Sequence, residues 1–96
     1  MTISIELKED LDAATMTDLK ETIESLAQTK GDVEFDISKV QFIDSSGIGG
    51  FVYLYKRLRA NGHNLWLTGA NSQPRRLLTY VGLLSLTERP ELESST

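Results

Sequence analysis

Two short segments alternate strictly, and a stretch of helical period separates them. This pattern limits the fold more than any other feature of the chain. In Ile3-Ser4-Ile5-Glu6-Leu7 the apolar residues share one face of a strand, and Val33-Glu34-Phe35-Asp36-Ile37 repeats the arrangement. Between them Met16, Leu19, Ile23, Leu26 and Ala27 follow the helical period and end near Lys30-Gly31. Asp12 to Thr15 offers helix starts, and Thr15 with Asp18 three residues on resembles a weak capping box. After a break at Ser38-Lys39, Val40 to Ile43 reads as a continuation of strand. A helix is expected to follow Asp44-Ser45-Ser46-Gly47 and run to about Ala60, where Asn61-Gly62 stops it. Leu65-Trp66-Leu67 is a short apolar strand, with Trp66 expected to pack against a helix or the sheet edge. The next helix starts at Asn71-Ser72-Gln73-Pro74, shows Leu77, Leu78 and Val81 on its apolar side, and closes at Gly82. The order βαβαβα implies an α/β domain: a small, mainly parallel β-sheet flanked by about three helices. One domain is expected over residues 1–88, followed by a flexible tail, 89–96, that passes through Pro90.

Composition removes several function classes. The 96 residues include no cysteine, which excludes disulfides, iron–sulfur clusters, thiolate zinc sites and cysteine nucleophiles together. His63 is the only histidine, so a multi-histidine metal site is excluded as well. Asp10/Asp12 and Asp32/Asp36 lie at turns or strand ends, where carboxylates serve as caps or solvated surface. No cofactor is expected. No apolar run approaches the ~20 residues of a membrane span, and the chain opens without a basic and then apolar leader, so a cytoplasmic domain without membrane insertion is the expectation. The net charge of -4 is unevenly spread. Residues 1–44 carry eleven acids and four bases, whereas residues 45–87 carry five bases (Lys56, Arg57, Arg59, Arg75, Arg76) and no acid. Either that basic stretch meets an acidic partner, or the two halves interleave in space and the charges solvate a surface. The overall acidity argues against direct nucleic-acid binding.

The turn Asp44-Ser45-Ser46-Gly47-Ile48-Gly49-Gly50 carries most of the chemical information. It lies at the carboxyl end of a predicted strand, where open α/β sheets place their ligand sites. Ser45 or Ser46 is expected to cap the helix, whose first N–H groups favour anions. No lysine follows the glycines until Lys56, so this is no phosphate loop. The Gly-x-Ser-x-Gly of a hydrolase elbow and the Gly-x-Gly-x-x-Gly of a dinucleotide site are both absent here. His63 is expected in an exposed turn at the far end of the helix, and fifteen helical residues span roughly 22 Å. With no nucleophile–base pair, an enzyme is the least favoured class. Along the helix, Ile48, Phe51, Val52, Leu54, Tyr55 and Leu58 fall on one broad face, while Gly49, Gly50, Tyr53, Lys56, Arg57 and Ala60 fall opposite. Tyr53 is thus an outward aromatic bordered by glycines that would admit another backbone.

Phe35-Asp36-Ile37-Ser38 followed by Phe42-Ile43-Asp44-Ser45-Ser46-Gly47-Ile48-Gly49 resembles the signature of STAS domains, the family of anti-sigma factor antagonists (anti-anti-sigma factors). Leu11-Asp12-Ala13-Ala14-Thr15 resembles the segment before that family's first helix. Leu65 to Thr68 and the turn at Gly82-Leu83 resemble its later elements, so the likeness covers roughly residues 3–86. The resemblance implies a non-catalytic partner switch in transcription regulation. Carried over, Ser45 is the phosphoacceptor and Asp44, Ser46 and Gly47 are its neighbours, with Ile48, Gly49, Gly50 and Tyr53 facing the partner. The implied partners are an anti-sigma factor with serine kinase activity, bound when Ser45 is unphosphorylated, and a PP2C-type phosphatase that restores that state.

Against the family pattern, only Ile3 to Leu7 precedes Leu11-Asp12, and the end is short. The expectation is a sheet lacking the family's first strand. An edge left open in this way offers backbone to another copy, so homodimerisation through it is one expectation to test. Two other readings stay open: a STAS subunit of a lipid-transport ABC system or other scaffold, and a nucleotide- or phosphate-binding domain.

Overall fold

The structure, a computed structural model, describes residues 2–88, so the expected tail lies outside the described residues. The elements are β1 (Thr2–Glu6), α1 (Ala13–Asp18), α2 (Lys20–Ala27), β2 (Asp32–Asp36), α3 (Ser45–Ala60), β3 (Leu65–Thr68) and α4 (Ser72–Tyr80), closed by a 3-10 turn at Leu84–Thr87. The three strands form one parallel sheet in the order β1-β2-β3. The α/β fold with a small parallel sheet is therefore the one the patterning implies.

Register explains the alternation. Ile3, Val33 and Leu65 pair in one row across the sheet and Ile5, Phe35 and Leu67 in another. Val33, Phe35, Leu65 and Leu67 are fully buried, and Ile3 and Ile5 on the edge strand are half-buried. The intervening rows, Ser4-Glu34-Trp66 and Glu6-Asp36-Thr68, turn to the other face. A parallel sheet covered on both faces would show continuous apolar runs, but here only one row in two is apolar. Trp66 thus belongs to the polar face and is half-buried there, in the row of Ser4 and Glu34. On the apolar face, α3 packs through Phe51, Leu54 and Leu58, with the Phe35 and Phe51 ring centroids 5.8 Å apart. Ile23, Leu26 and Ala27 from α2, Leu78 from α4, and Leu11, Ile37, Val40 and Ile43 from the connecting segments belong to the same core.

Local expectations fail at three places. The helix over 16–27 bends at Leu19, where ψ is -2°, although Leu19 N–H still bonds Thr15 O and Ile23 N–H still bonds Leu19 O. Its start is capped by Asp12, whose Oδ1 accepts from Thr15 N at 3.0 Å, so Thr15 lies inside the helix and heads no capping box. An ionised carboxylate is the stronger acceptor at a positive helix end. Val40 to Ile43 forms no strand: Val40 N–H turns back to Ile37 O at 3.1 Å, and only one bridge, Leu11 to Ile43, remains.

Both glycine stops hold. At the end of α3, Gly62 has φ +81°, its N–H donates to Arg59 O and the His63 N–H to Leu58 O. Gly82, at φ +80°, ends α4 by the same pair of hydrogen bonds, from Gly82 N–H to Thr79 O and from Leu83 N–H to Leu78 O. Only a residue without a Cβ takes this left-handed position without strain. His63 follows the end of α3, as expected, but is half-buried there and not exposed.

Candidate functional site

Asp44, not Ser45 or Ser46, caps α3. Its backbone is extended (φ -109°, ψ -170°), and its Oδ1 accepts from Ser46 N at 2.8 Å and Gly47 N at 3.3 Å. Two of the orphan donors of the helix are thereby satisfied by a charge already favoured at that end. Ser45 becomes the first helical residue; its side chain is exposed and makes no hydrogen bond with another described residue. Ser46 is half-buried and turns toward a groove of about 490 Å³ between α1, α2 and α3. Phe42, three residues before Ser45, is 44% exposed. An accessible hydroxyl, a fixed carboxylate and an exposed aromatic ring therefore lie within four residues of chain.

The glycines have separate roles. A Cβ on Gly47 would lie 2.8 Å from both Ile43 Cγ2 and the Leu11 carbonyl oxygen, so this glycine lets α3 pass tightly over the Leu11–Ile43 bridge. A Cβ on Gly50 would meet the Met16 methyl, so the space expected to admit another backbone is taken by a side chain of α1 of this same chain. Around Gly49 nothing lies within 4 Å, and its surface stays open. Ile48 is half-buried against the core.

Tyr53 is 40% exposed, and its outward placement is the expected one. It is nevertheless tied to α2: its hydroxyl donates to Glu24 Oε2 at 2.6 Å. Arg57 donates to Glu24 Oε1 at 3.0 Å and to the Tyr53 hydroxyl, and its guanidinium stands 5.5 Å from the Tyr53 ring centre. The hydrogen bond from Tyr53, reinforced by Arg57, holds the Glu24 carboxyl below its ordinary pKa; the same bond holds the Tyr53 phenol above its own. This contact of Glu24 with Arg57 pairs one base of the acid-free stretch with an acid of the first half. Of the carboxylates at turns and strand ends, Asp36 accepts from Ser38 N at 2.9 Å and Asp32 from Asn64 N at 2.9 Å. Among the described residues no group of three metal-ligating side chains assembles, and no helix is long and apolar enough to cross a membrane.

The sequence pattern places Met16 and Gln73 in helices but carries no sign of their contacts with Gly50 and Ile43, nor of Glu24 against Tyr53. The Gln73 side chain bonds both the N–H and the C=O of Ile43, at 2.9 Å each. These contacts join residues about 30 apart, and no local pattern signals them.

Comparison with known proteins bears on the family and the fold. The family model of the STAS domain matches residues 2–95. An anti-sigma-B factor antagonist of Listeria monocytogenes is 33% identical, with 97% of this chain and 93% of that protein covered. Its counterpart in Staphylococcus epidermidis is 33% identical over 80% of this chain and 72% of that protein. In fold, the chain is similar to the anti-sigma factor antagonist SpoIIAA in its unphosphorylated form, with TM-score 0.78, 17% identity, and coverage of 97% of this chain and 84% of that one. A sulfate transporter family protein from Wolinella succinogenes shares the fold at TM-score 0.74 and 18% identity, over 91% of this chain and 72% of that one.

Proposed function

The chain belongs to the STAS domain family, and from that premise we propose that it is a non-catalytic anti-sigma factor antagonist switched by phosphorylation of Ser45. In this reading the unphosphorylated chain binds an anti-sigma factor with serine kinase activity in the cytoplasm, and a PP2C-type phosphatase restores the binding form. The observation that carries the reading is the exposed, unengaged Ser45 hydroxyl at the first position of α3, beside the capping Asp44. Ser46 is half-buried toward the groove, which favours Ser45 as the acceptor.

The chemistry supports a switch of binding rather than of fold. A phosphate brings about -1.5 to -2 charge and three acceptor oxygens. Asp44 Oδ1 already occupies the Ser46 and Gly47 N–H groups, so the phosphate adds to an existing negative charge and projects outward. Beside Phe42 and the open surface at Gly49, that charge and bulk oppose a closely packed partner. Of the four α3 residues expected to face the partner, Gly49 and Tyr53 are the exposed ones and form the proposed contact, whereas Ile48 packs against the core and Gly50 lies against Met16.

Intact mass and peptide mapping of protein taken from its native cell test the proposal. A single phosphate on Ser45 in some growth conditions is the expected result. Its absence in every condition, together with co-purification of an ABC ATPase, would favour the transport-subunit reading.

A further inference from the structure

Gln73 lies in the first turn of α4, 30 residues from Ile43 in sequence. Its Oε1 accepts from Ile43 N–H and its Nε2 donates to Ile43 O, each at 2.9 Å. A carboxamide bonded in this way reproduces the donor–acceptor pair that a neighbouring strand would present. The backbone of Leu11 does the corresponding work on adjacent residues: Leu11 N–H donates to Phe42 O at 2.9 Å, and Asp44 N–H donates to Leu11 O at 3.2 Å. The segment Phe42–Asp44 lies outside every strand, yet these bonds fix it immediately before Ser45.

The approach to Gln73 is itself constrained. Ser72, at φ +49°, is the only non-glycine among the described residues in the left-handed region. Such a conformation persists where the surroundings over-determine it. Helix capping does not supply that constraint, because the Asn71 side chain leaves α4 uncapped and donates instead to Gly69 O and Ser38 O. The two bonds from Gln73 to Ile43 do supply one.

We propose that Gln73 is a positioning residue for the switch turn: it locks Ile43 so that Asp44 and Ser45 leave the core in one fixed geometry. Its importance for regulation rests on the proposed switch at Ser45, but its structural effect is measurable on the chain alone. Amide hydrogen exchange followed by NMR on the full chain tests it in wild type, Gln73→Met, Gln73→Glu and Thr79→Ala. Gln73→Met removes both bonds to Ile43, whereas Gln73→Glu keeps an acceptor for Ile43 N–H and loses the donor to Ile43 O. Thr79→Ala removes only a side-chain bond to Arg75 O on the same helix and serves as the control.

Gln73→Met is expected to speed exchange at Ile43, Ser46 and Gly47 by about 10-fold, the scale of a lost hydrogen bond, while Val33 and Leu54 stay at wild-type rates. Gln73→Glu should retain part of the protection, and Thr79→Ala all of it. Wild-type exchange at Ser46 and Gly47 in both Gln73 variants would overturn the proposal. So would acceleration of all amides together, which marks loss of global stability. If Gln73→Met does not fold, Gln73→Glu decides by the same comparison. Absence of phosphate on Ser45 in the cell would sink the switch reading and leave the exchange result standing.

Discussion

A carboxylate closes the N-terminus of α3, and this decides what a phosphate on the next residue meets. Asp44 Oδ1 holds two helix N–H groups, so Asp44→Ala should cost about 1 kcal/mol in chemical unfolding, the usual loss for a helix cap. Asp44→Asn should recover most of that loss. The glycines behind the cap give opposite signs. Gly47→Ala drives a methyl against the Leu11 carbonyl and Ile43, and overpacking of this kind destabilises by about 1–3 kcal/mol. Gly49→Ala meets open space in a helix interior and should stabilise by roughly 0.5–1 kcal/mol. A stabilised Gly49→Ala chain that binds its partner less well would identify this surface as the contact. Unaltered affinity would move the contact elsewhere.

Between elements, α2 and α3 are joined by a polar triad as well as by their apolar faces. Glu24, Tyr53 and Arg57 meet in one network, and Asp12 and Asp36 each accept a backbone N–H. All three carboxyls have lowered pKa values, chiefly through the hydrogen bonds from Tyr53, from Thr15 and from Ser38 respectively. A carboxyl depressed by folding contributes stability above its unfolded pKa and loses it as pH falls through the folded value. The melting temperature should therefore hold near neutrality and drop on acidification below about pH 4. Glu24→Gln should flatten part of that drop. Tyr53, raised by its bond to Glu24, contributes below its unfolded pKa and loses that contribution as pH rises past its folded value. A melting temperature that does not respond to acid would contradict the arrangement.

The same scale shows what the chain discloses by itself. β1, β2 and the long α3 are legible because one buried face imposes a period on adjacent residues, and the stops at Gly62 and Gly82 are legible because their turn needs φ > 0. The bend at Leu19 and the irregular path of residues 40–43 are not. Over residues 40–43 the backbone is decided by partners distant in sequence, Leu11 and Gln73, which leave no periodic trace near Ile43. At the site, the Asp-Ser-Ser-Gly motif marked the turn correctly, but which of its side chains would cap the helix depended on geometry. Glu24 beneath Tyr53 had no signal of its own.

Across the whole molecule, the uneven charge acquires a spatial meaning. Arg57 from the acid-free stretch pairs with Glu24 of the acidic half, and Arg59 bonds Asn64, so the basic stretch is partly used within the fold. Ser45 stands at the boundary of the two halves, directly after the last acid of the first. Its phosphorylation would shift local charge by about -2 at an exposed position without entering the core formed by Phe51, Leu54 and Leu58. In the proposed switch, stability and binding are therefore separate: phosphorylation of Ser45 would reset an interaction and leave the fold intact. Calorimetric titration of the proposed partner, an anti-sigma factor with kinase activity, with the chain carrying phosphoserine or serine at position 45 tests this most directly. A loss of about 3–4 kcal/mol, roughly 200–1000-fold in affinity, is predicted for the phosphorylated chain. Equal affinities of the two forms would contradict the account.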